Sequence, residues 1–410
     1  MLLGLGTSIA RGVAPAVEFL DEYSLEFDGV TGGNANIIDL GRSTDFDSAK
    51  FSIFFWVKMA ASTTGTLLGI GGTTYNLSSY KGFRVRKTAA NRFSCVIAKD
   101  ASSESEVLTA VNPVVEGTWY HIGFTYDGTD LKSYENGVLS NTTTTTYVPG
   151  GSSESLKIGP HYYNPDSRDS FKGKLSEFAY YDEDLTAGEI TTIYNEGDPY
   201  NHSLGANAAD LKSWLRMGDG DYDTVGSIAG DNDTPQPEGG IVSDASNPIL
   251  GSENMINPSF EAAGTGNWLE LNASHNTVAN VSDQLVITNI SAGNNTASLG
   301  YLRGANVIVS DVGPGVYRFE FNCKVSSGTV NLSLYGSTES ANPSIPITNT
   351  GFETHVFHLL MYGSSANTYI YIYVGDGVTF TVDSMSMKKV GTNSGKLNKI
   401  VAADWTSDTP

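Results

Sequence analysis

Residues 117–137, GTWYHIGFTYDGTDLKSYENG, decide the fold of the first half of the chain. Apolar side chains occupy every second position at Tyr120, Ile122, Phe124 and Tyr126. This period of two predicts a strand with one buried face. Asp127-Gly128 then reverses the chain, and Asn136-Gly137 is a dipeptide typical of a tight type I′ turn. Two turns so close together predict antiparallel neighbours inside a larger β-sandwich.

Four segments, taken in order, resemble the laminin-G-like, concanavalin A-like jelly rolls. They are SLEFDG at 24–29, FSIFFWV at 51–57, the hairpin WYHIGFTYDG with YENG at 119–137, and FKGKLSEFAYY with DLTAGEI at 171–190. The resemblance implies an all-β, antiparallel jelly roll over residues 23–218, with one short helix near residues 187–196. Thr186 and Glu189 have the spacing of a capping box for that helix. The fold leaves the function open, because it carries lectins, adhesion modules, hydrolases and virion proteins.

Composition and charge exclude several classes of protein. The 410 residues suffice for two or three domains, and their net charge of −21 argues against nucleic acid, which needs clustered Lys and Arg. The only cysteines, Cys95 and Cys323, fall in different predicted domains, so a disulfide framework is not expected. No window approaches the ~20 apolar residues that cross a bilayer, so no membrane insertion is expected.

The remainder of the chain divides by composition. Residues 1–22 form an N-terminal arm without strand periodicity, which we interpret as disordered, the alternative being that it docks on a neighbouring subunit. Residues 219–250 form an acidic linker rich in Pro and Gly. Residues 251–390 form a second all-β unit, which opens with NMINPSFE at 254–261 and ends with VTFTVDSMSMKK at 378–389. These ends resemble the jelly-roll carbohydrate-binding modules that accompany bacterial glycanases. Residues 391–410 are interpreted as a loosely structured tail, with Trp405 as an anchor.

Catalytic motifs are missing from the sequence. Concanavalin A-like glucanases carry paired acids in an E-x-D-x-x-E arrangement, because retaining hydrolysis needs two carboxyl groups about 5 Å apart. No such spacing occurs, and neither does a G-x-S-x-G elbow, an H-E-x-x-H helix or a phosphate loop. We therefore expect a protein that is not an enzyme and has no catalytic residues.

Two pairs of acids are candidates for a structural calcium. Glu261 on the first strand of the second unit and Asp383 beside an expected bulge on its last strand are predicted to be neighbours, and similar modules hold calcium there. By the same logic Asp28 and Glu177 pair in the first unit. The alternative for each pair is an acid that accepts backbone hydrogen bonds at a bulge.

A row of tyrosines is the candidate carbohydrate-binding surface. In TYIYIYV at 368–374, Tyr369, Tyr371 and Tyr373 share one face of the strand and the aliphatic residues share the other. Pyranose rings stack on flat aromatic surfaces, and we expect Tyr335 and Arg318 to join this site from neighbouring strands. The alternative is that the tyrosines cover the sheet or contact another subunit.

The sequence favours a non-enzymatic structural protein of a tailed-phage particle, either a tail fibre or appendage or a capsid decoration. The phrase WLRMGDGD at 214–221 resembles a closing segment of laminin-G-like proteins of marine tailed phages. Surface attachment through weak glycan binding in many copies is the expected role. The expected partners are other virion proteins, further copies of this chain and a host-surface glycan, and the expected location is the virion. The alternative is a secreted or cell-surface bacterial carbohydrate-binding protein. A polysaccharide hydrolase is disfavoured because the chain lacks the paired catalytic acids of such enzymes.

Overall fold

The structure, a computed structural model, describes residue 19 and residues 21–30, 36–60, 64–70, 82–100, 103–109, 113–145, 155–159, 171–220, 223, 241–246, 250–253, 268–270, 276–289, 300–304, 314–335, 344–361, 369–375, 377–398 and 404–410. These residues are mostly antiparallel strand, and one α-helix occurs among them. The all-β fold class expected from the sequence is therefore confirmed.

The strands that precede the second unit belong to a first sandwich. They are β1 (Ser24–Asp28), β2 (Ile37–Asp39), β3 (Phe51–Met59), β4 (Gly65–Ile70), β5 (Gly82–Lys87), β6 (Phe93–Asp100), β7 (Ser103–Thr109), β8 (Trp119–Tyr126), β9 (Asp130–Glu135), β10 (Val138–Thr144), β11 (Leu156–Ile158), β12 (Lys172–Tyr181), β13 (Leu211–Leu215) and β14 (Ile241–Val242). The helix α1 (Ala187–Tyr194) lies between β12 and β13.

The remaining strands follow residue 249. They are β15 (Leu250–Glu253), β16 (Trp268–Glu270), β17 (Asn276–Val281), β18 (Gln284–Asn289), β19 (Gly300–Gly304), β20 (Gly315–Val325), β21 (Val330–Tyr335), β22 (Ser344–Ile347), β23 (Glu353–Met361), β24 (Tyr369–Val374), β25 (Thr379–Val390), β26 (Gly395–Asn398) and β27 (Trp405–Thr406).

Two sheets form the first sandwich. Sheet I has the order β10-β9-β8-β3-β12-β1-β27, with β13 also paired to β12, and sheet II has the order β14-β26-β2-β11-β4-β5-β6-β7. Their inner faces meet in one core that includes Phe27, Phe55, Phe83, Phe93 and Phe124. The outer face of sheet I carries a second apolar cluster, which α1 covers with Ile190 and Ile193. Sheet I is therefore buried on both faces near the helix.

Local signals in the sequence specify the central hairpin and the helix correctly. Asn136 and Gly137 have φ angles of 49° and 75°, the consecutive positive values that a type I′ turn requires. The side chain of Thr186 accepts from Glu189 N, and Glu189 Oε2 accepts from Thr186 N at 2.7 Å. Both the hairpin and the capping box are confirmed.

The linker and tail segments contribute strands to the first sandwich. β14, from the expected linker, pairs with β26, and β26 pairs with β2. β27 pairs with β1, so the residues interpreted as a tail belong to both sheets. These short strands carry too little periodicity to be recognised alone, and their partners lie hundreds of residues away in the sequence. The second unit, β15 to β25, is thus inserted into the first sandwich between β14 and β26.

Buried Asp244 joins the three segments at this insertion. Its carboxylate accepts from Trp214 N at 2.9 Å on β13, from Asn393 N at 3.0 Å after β25, and from Ser246 Oγ at 2.6 Å in its own segment. Burial raises the pKa of this carboxyl, and the hydrogen bonds partly offset the effect. An acid that composition places in a solvated linker therefore lies in the interior.

Two further sheets form the second sandwich. Sheet III has the order β17-β18-β25-β20-β23, with β15 also paired to β25, and sheet IV has the order β16-β19-β24-β21-β22. Between them lies a core that includes Phe319, Phe321, Ile372, Val374 and Phe380. The ends of the insertion meet, because Leu250 pairs with Val390.

Candidate functional site

A surface pocket of about 250 Å³ lies at one end of the β4–β5 pair, and we call it the β4–β5 pocket. Its described lining consists of Thr64, Gly65, Thr66, Arg86, Lys87, Thr88 and Ala89. The volume is slightly below the ~300–1,000 Å³ of typical small-molecule pockets, so the space suits one residue of a longer ligand. Cationic and hydroxyl groups dominate this lining.

The strand register explains why the pocket forms here. Phe83 and Val85 on β5 point into the core, which places Arg86 on the outer face of sheet II. Lys87 pairs with Gly65, which contributes no side chain, and Thr66 pairs with Arg86. The pocket thus occupies the space beside a glycine at the end of the strand pair.

The charges of the pocket are partly buried. Lys87 is only 1% exposed, and this burial lowers the pKa of its ammonium group, while the charge of Glu116 partly restores it. The guanidinium Nε of Arg86 donates to Ser94 Oγ at 3.4 Å. The pocket therefore presents hydrogen-bond donors that are also positively charged.

The pocket was not predicted from the sequence, because the net charge of −21 over the whole chain conceals a local positive charge. A local signal was available in GFRVRK at 82–87, which holds three basic residues and no acid in a chain with net charge −21. The pocket also needs the register between β4 and β5, which only the paired strands define.

The expected pairing of Asp28 with Glu177 is wrong. Asp28 is exposed and lies opposite Lys172, five residues along β12 from Glu177, or roughly 16 Å at the strand rise of ~3.3 Å per residue. Its Oδ1 accepts from Val30 N at 2.8 Å, so it caps the turn after β1. The resemblance placed both acids in neighbouring strands, but the register keeps them apart.

Glu177 lies instead in a buried cluster on the outer face of sheet I. A register shift between Ser176 and Ala179, together with a φ of 51° at Glu177, marks a bulge in β12. At this bulge the Glu177 carboxylate accepts hydrogen bonds from Trp214 Nε1 and, at 3.3 Å, from Arg216 Nε. The N-terminal segment covers this cluster. Asp21 accepts from Ser176 Oγ at 3.1 Å, and the Phe19 ring lies 4.3 Å from the Arg216 guanidinium carbon.

Docking of Phe19 and Asp21 onto the Glu177 cluster is expected to weaken as pH rises. Burial raises the pKa of Asp21, repulsion by Glu177 and Asp219 raises it further, and the hydrogen bond from Ser176 lowers it in part. Burial also raises the pKa of Glu177, and the positive charge of Arg216 opposes that rise. An acid with a raised pKa in the folded state stabilises the fold below its ordinary pKa of about 4 and loses that contribution as pH rises through the raised value.

The measurement is the melting temperature at about pH 5 and about pH 9 for the natural chain and for Asp21→Asn. We expect the fall in melting temperature between these pH values to be smaller in Asp21→Asn, because that side chain no longer titrates. Identical falls in the two proteins would contradict the coupling of Asp21 protonation to docking.

The predicted calcium pair of the second sandwich is only partly described. Glu261 lies outside the described residues. Asp383 is half-buried at a register shift between β20 and β25, where a bulge was expected, and it accepts from Gln284 Nε2 at 2.9 Å. The described residues bring together no group of three or more His, Cys, Asp or Glu side chains that could hold a metal ion. Calcium at Glu261 and Asp383 stays a prediction.

Arg318 does not lie beside the row of tyrosines. Arg318 is on β20 in sheet III, whereas Tyr369, Tyr371 and Tyr373 are on β24 in sheet IV. The neighbour of Arg318, Phe319, points into the core between the sheets, so Arg318 faces away from sheet IV, where it contacts Glu320 at 2.5 Å. The expectation that Arg318 joins the tyrosines is therefore wrong.

The backbone of the tyrosine row is well defined in sheet IV. Tyr335 lies opposite Tyr369, and Tyr301 lies opposite Tyr373. Tyr373 is half-buried, while the side chains of Tyr335, Tyr369 and Tyr371 lie outside the described residues. Sugar binding by this row stays a prediction.

Comparisons with known proteins agree with the sandwich fold. Residues 32–191 match the family described as the Concanavalin A-like lectin/glucanases superfamily. A search of curated proteins found no match. Across the described ranges, no helix is long and apolar enough to cross a bilayer.

Solved structures resemble parts of the chain. A heptameric SAP-like pentraxin from Limulus polyphemus is 16% identical, with 42% of this chain and 82% of that chain covered and a TM-score of 0.35. A putative carbohydrate binding protein from Bacteroides ovatus is 13% identical, with 55% and 56% covered and a TM-score of 0.39. Tailspike protein 2 of bacteriophage CBA120 is 12% identical, with 47% and 29% covered and a TM-score of 0.35. Each likeness extends over part of this chain.

Proposed function

We propose that this protein is a non-enzymatic saccharide-binding protein that attaches to a surface through its first sandwich. The observation that carries the proposal is the β4–β5 pocket, where Thr64, Thr66, Arg86 and Lys87 present hydrogen-bonding groups to a space of about 250 Å³. Saccharides are recognised by such convergent polar groups, because each sugar hydroxyl both donates and accepts hydrogen bonds. The match of residues 32–191 to a lectin and glucanase superfamily supports this proposal.

A binding role without catalysis is supported by the sequence. The E-x-D-x-x-E arrangement of concanavalin A-like glucanases is absent from the chain. Two acids of the first sandwich with raised pKa values serve structural contacts: Asp21 of the N-terminal segment bonds to Ser176, and Glu177 beneath that segment bonds to Trp214 and Arg216. Their role is to hold chain segments together.

We further propose that the protein is displayed on a tailed-phage particle, in many copies, as a tail appendage or capsid decoration. The support is the resemblance of WLRMGDGD at 214–221 to phage laminin-G-like proteins. The second candidate is a secreted or cell-surface bacterial carbohydrate-binding protein, favoured by the carbohydrate-module-like ends of the second sandwich. Peptide mass spectrometry of purified particles, compared with the particle-free medium of the source culture, distinguishes these two locations.

Saccharide binding at the pocket is testable with paired threonine variants. We expect the natural chain to bind a subset of an immobilised glycan array, and Thr64→Val with Thr66→Val to weaken that binding about tenfold, since two hydrogen bonds of ~0.5–1.5 kcal/mol each are lost. Thr142→Val is the matched control, because Thr142 is an exposed strand residue on β10 of sheet I. Equal glycan binding by the double threonine variant and by Thr142→Val would refute the pocket as the saccharide site.

The tyrosine row is a second proposed saccharide surface. Tyr371→Ala tests it on the same array, because Tyr371 lies in sheet IV of the other sandwich and its loss leaves the β4–β5 pocket intact. Glycans lost in Tyr371→Ala and kept in the threonine variant would assign binding to the second sandwich.

A further inference from the structure

The strand that lines the pocket is the first reason to expect a charged ligand. β5 contains Arg84, Arg86 and Lys87 among its six residues and no acid. The whole chain has 24 Lys and Arg against 45 Asp and Glu, so basic residues on average are outnumbered. The net charge of this strand is therefore opposite in sign to that of the whole chain.

The positive charge continues from the pocket across the outer face of sheet II. Gly69 lies between Arg84 on one neighbouring strand and Lys157 on the other. The two basic residues are thus about 10 Å apart across two strand spacings, with a glycine between them. Asp39 Oδ2 lies 3.6 Å from Lys157 Nζ and balances part of this charge. We call Lys157, Arg84 and Arg86 the basic row.

The negative charge of the whole protein does not cancel this local field. At physiological salt, charges separated by more than about 8 Å of solvent are largely screened. A ligand in the pocket therefore interacts mainly with Arg86 and Lys87, which line it. The charge of Glu116 raises the pKa of Lys87 and so offsets part of the positive charge of the pocket.

We propose that the β4–β5 pocket binds the acidic group of an anionic saccharide, a carboxylate or sulfate held by Arg86 and Lys87, with the adjoining sugars along the basic row. The proposal rests on the saccharide-binding function proposed above. Charged donors make shorter and stronger hydrogen bonds to anions than neutral donors do.

Calorimetric titration of the intact chain with charge-matched ligand pairs tests the proposal. One pair is an oligogalacturonate and its methyl ester, and the other is a sulfated dextran oligomer and plain dextran. We expect at least one acidic ligand to bind tenfold or more tightly than its uncharged counterpart, and that ratio to shrink in about 0.5 M salt. The two pairs distinguish carboxylate from sulfate.

Variants place the acidic group in the pocket. Arg86→Gln and Lys87→Met are expected to weaken acidic binding about tenfold or more, because each removes a charged donor. Arg86→Lys keeps the charge and should retain the preference for the acidic ligand. Arg318→Gln is the matched control, since it removes the same charge from the second sandwich. If Lys87→Met lowers the melting temperature, the Arg86 variants decide alone.

The outcomes separate this inference from the proposed function. Equal binding of acidic and uncharged ligands, lost in the threonine variant, would overturn the inference and leave saccharide binding intact. Acidic binding that survives both pocket variants, or that is lost in Arg318→Gln, would overturn the placement in the pocket. Failure of every acidic and neutral saccharide to bind would overturn both.

Discussion

A chain that ends at Val390 is expected to lose the cooperative unfolding of its first sandwich. Such a chain lacks β26, which lies between β14 and β2 in sheet II, and β27, which pairs with β1 in sheet I. It also lacks Asn393, whose backbone N–H donates to buried Asp244, and Asp408. A typical protein is stable by only ~5–15 kcal/mol, so the loss of two strands and of a hydrogen-bond donor to a buried carboxylate is expected to remove a large part of that stability.

Asp408 shows how firmly the final segment is bound. Its carboxylate lies 2.7 Å from Lys174 Nζ and 2.9 Å from Lys58 Nζ, and it accepts from Trp119 Nε1 at 3.2 Å. Burial alone would raise its pKa, but the hydrogen bonds from Lys174, Lys58 and Trp119 outweigh this and lower the pKa to about 2. The contacts of Asp408 therefore stabilise the fold above its ordinary pKa and are lost as pH falls towards about 2.

Denaturant unfolding followed by tryptophan fluorescence and far-ultraviolet circular dichroism measures this loss. The matched control removes residues 251–389 and joins Leu250 to Val390 by a short glycine-rich linker, which the paired ends permit. We expect the control to unfold in one sharp transition, because it keeps every strand of the first sandwich. An equally sharp transition in the chain that ends at Val390 would contradict the prediction.

Glu177→Ala is expected to lower the free energy of unfolding by about 3–5 kcal/mol, because it removes one partner of a buried ion pair. Glu177 is 2% exposed, and its loss leaves Arg216 Nε and Trp214 Nε1 without their acceptor in this cluster. Glu177→Gln should cost less, because the amide oxygen still accepts a hydrogen bond while the charge disappears.

Asp28→Ala is the matched control for Glu177. Both are acids of the first sandwich that were expected to form one site, but Asp28 is exposed and bonds only locally among the described contacts. Its removal should cost less than about 1 kcal/mol, as for most surface substitutions. Urea melts of the three variants give these differences, and similar losses for Asp28→Ala and Glu177→Ala would show that burial of Glu177 contributes no special stability.

Local patterns predicted those parts of the fold that depend on neighbours in sequence. The alternation in β8, the positive φ angles at Asn136 and Gly137 and the capping box at Thr186 arise from backbone and side-chain preferences within a few residues. For the same reason the buried face of β20 follows from its alternation. These elements were predictable without any knowledge of their partners.

The candidate site was predicted less well. A bulge near Asp383 was expected from a slip in the apolar pattern, and it is present. The β4–β5 pocket was missed, because Gly65 and Lys87 meet only through strand register. Arg318 was misplaced because strand alternation tells which face a residue takes, but not which of two sheets its strand joins.

The sequence by itself predicted the all-β class and the hairpin, since period and turn chemistry act over short distances, and its resemblance to a known family implied the first jelly roll. Only the tertiary structure decided that the second sandwich is inserted into the first, that Asp244 is buried, and that Asp28 and Glu177 lie apart. These features depend on pairing between segments distant along the chain, such as β2 with β26. Short strands of two to four residues gain their stability from those partners, so their own amino-acid composition does not predict that they form.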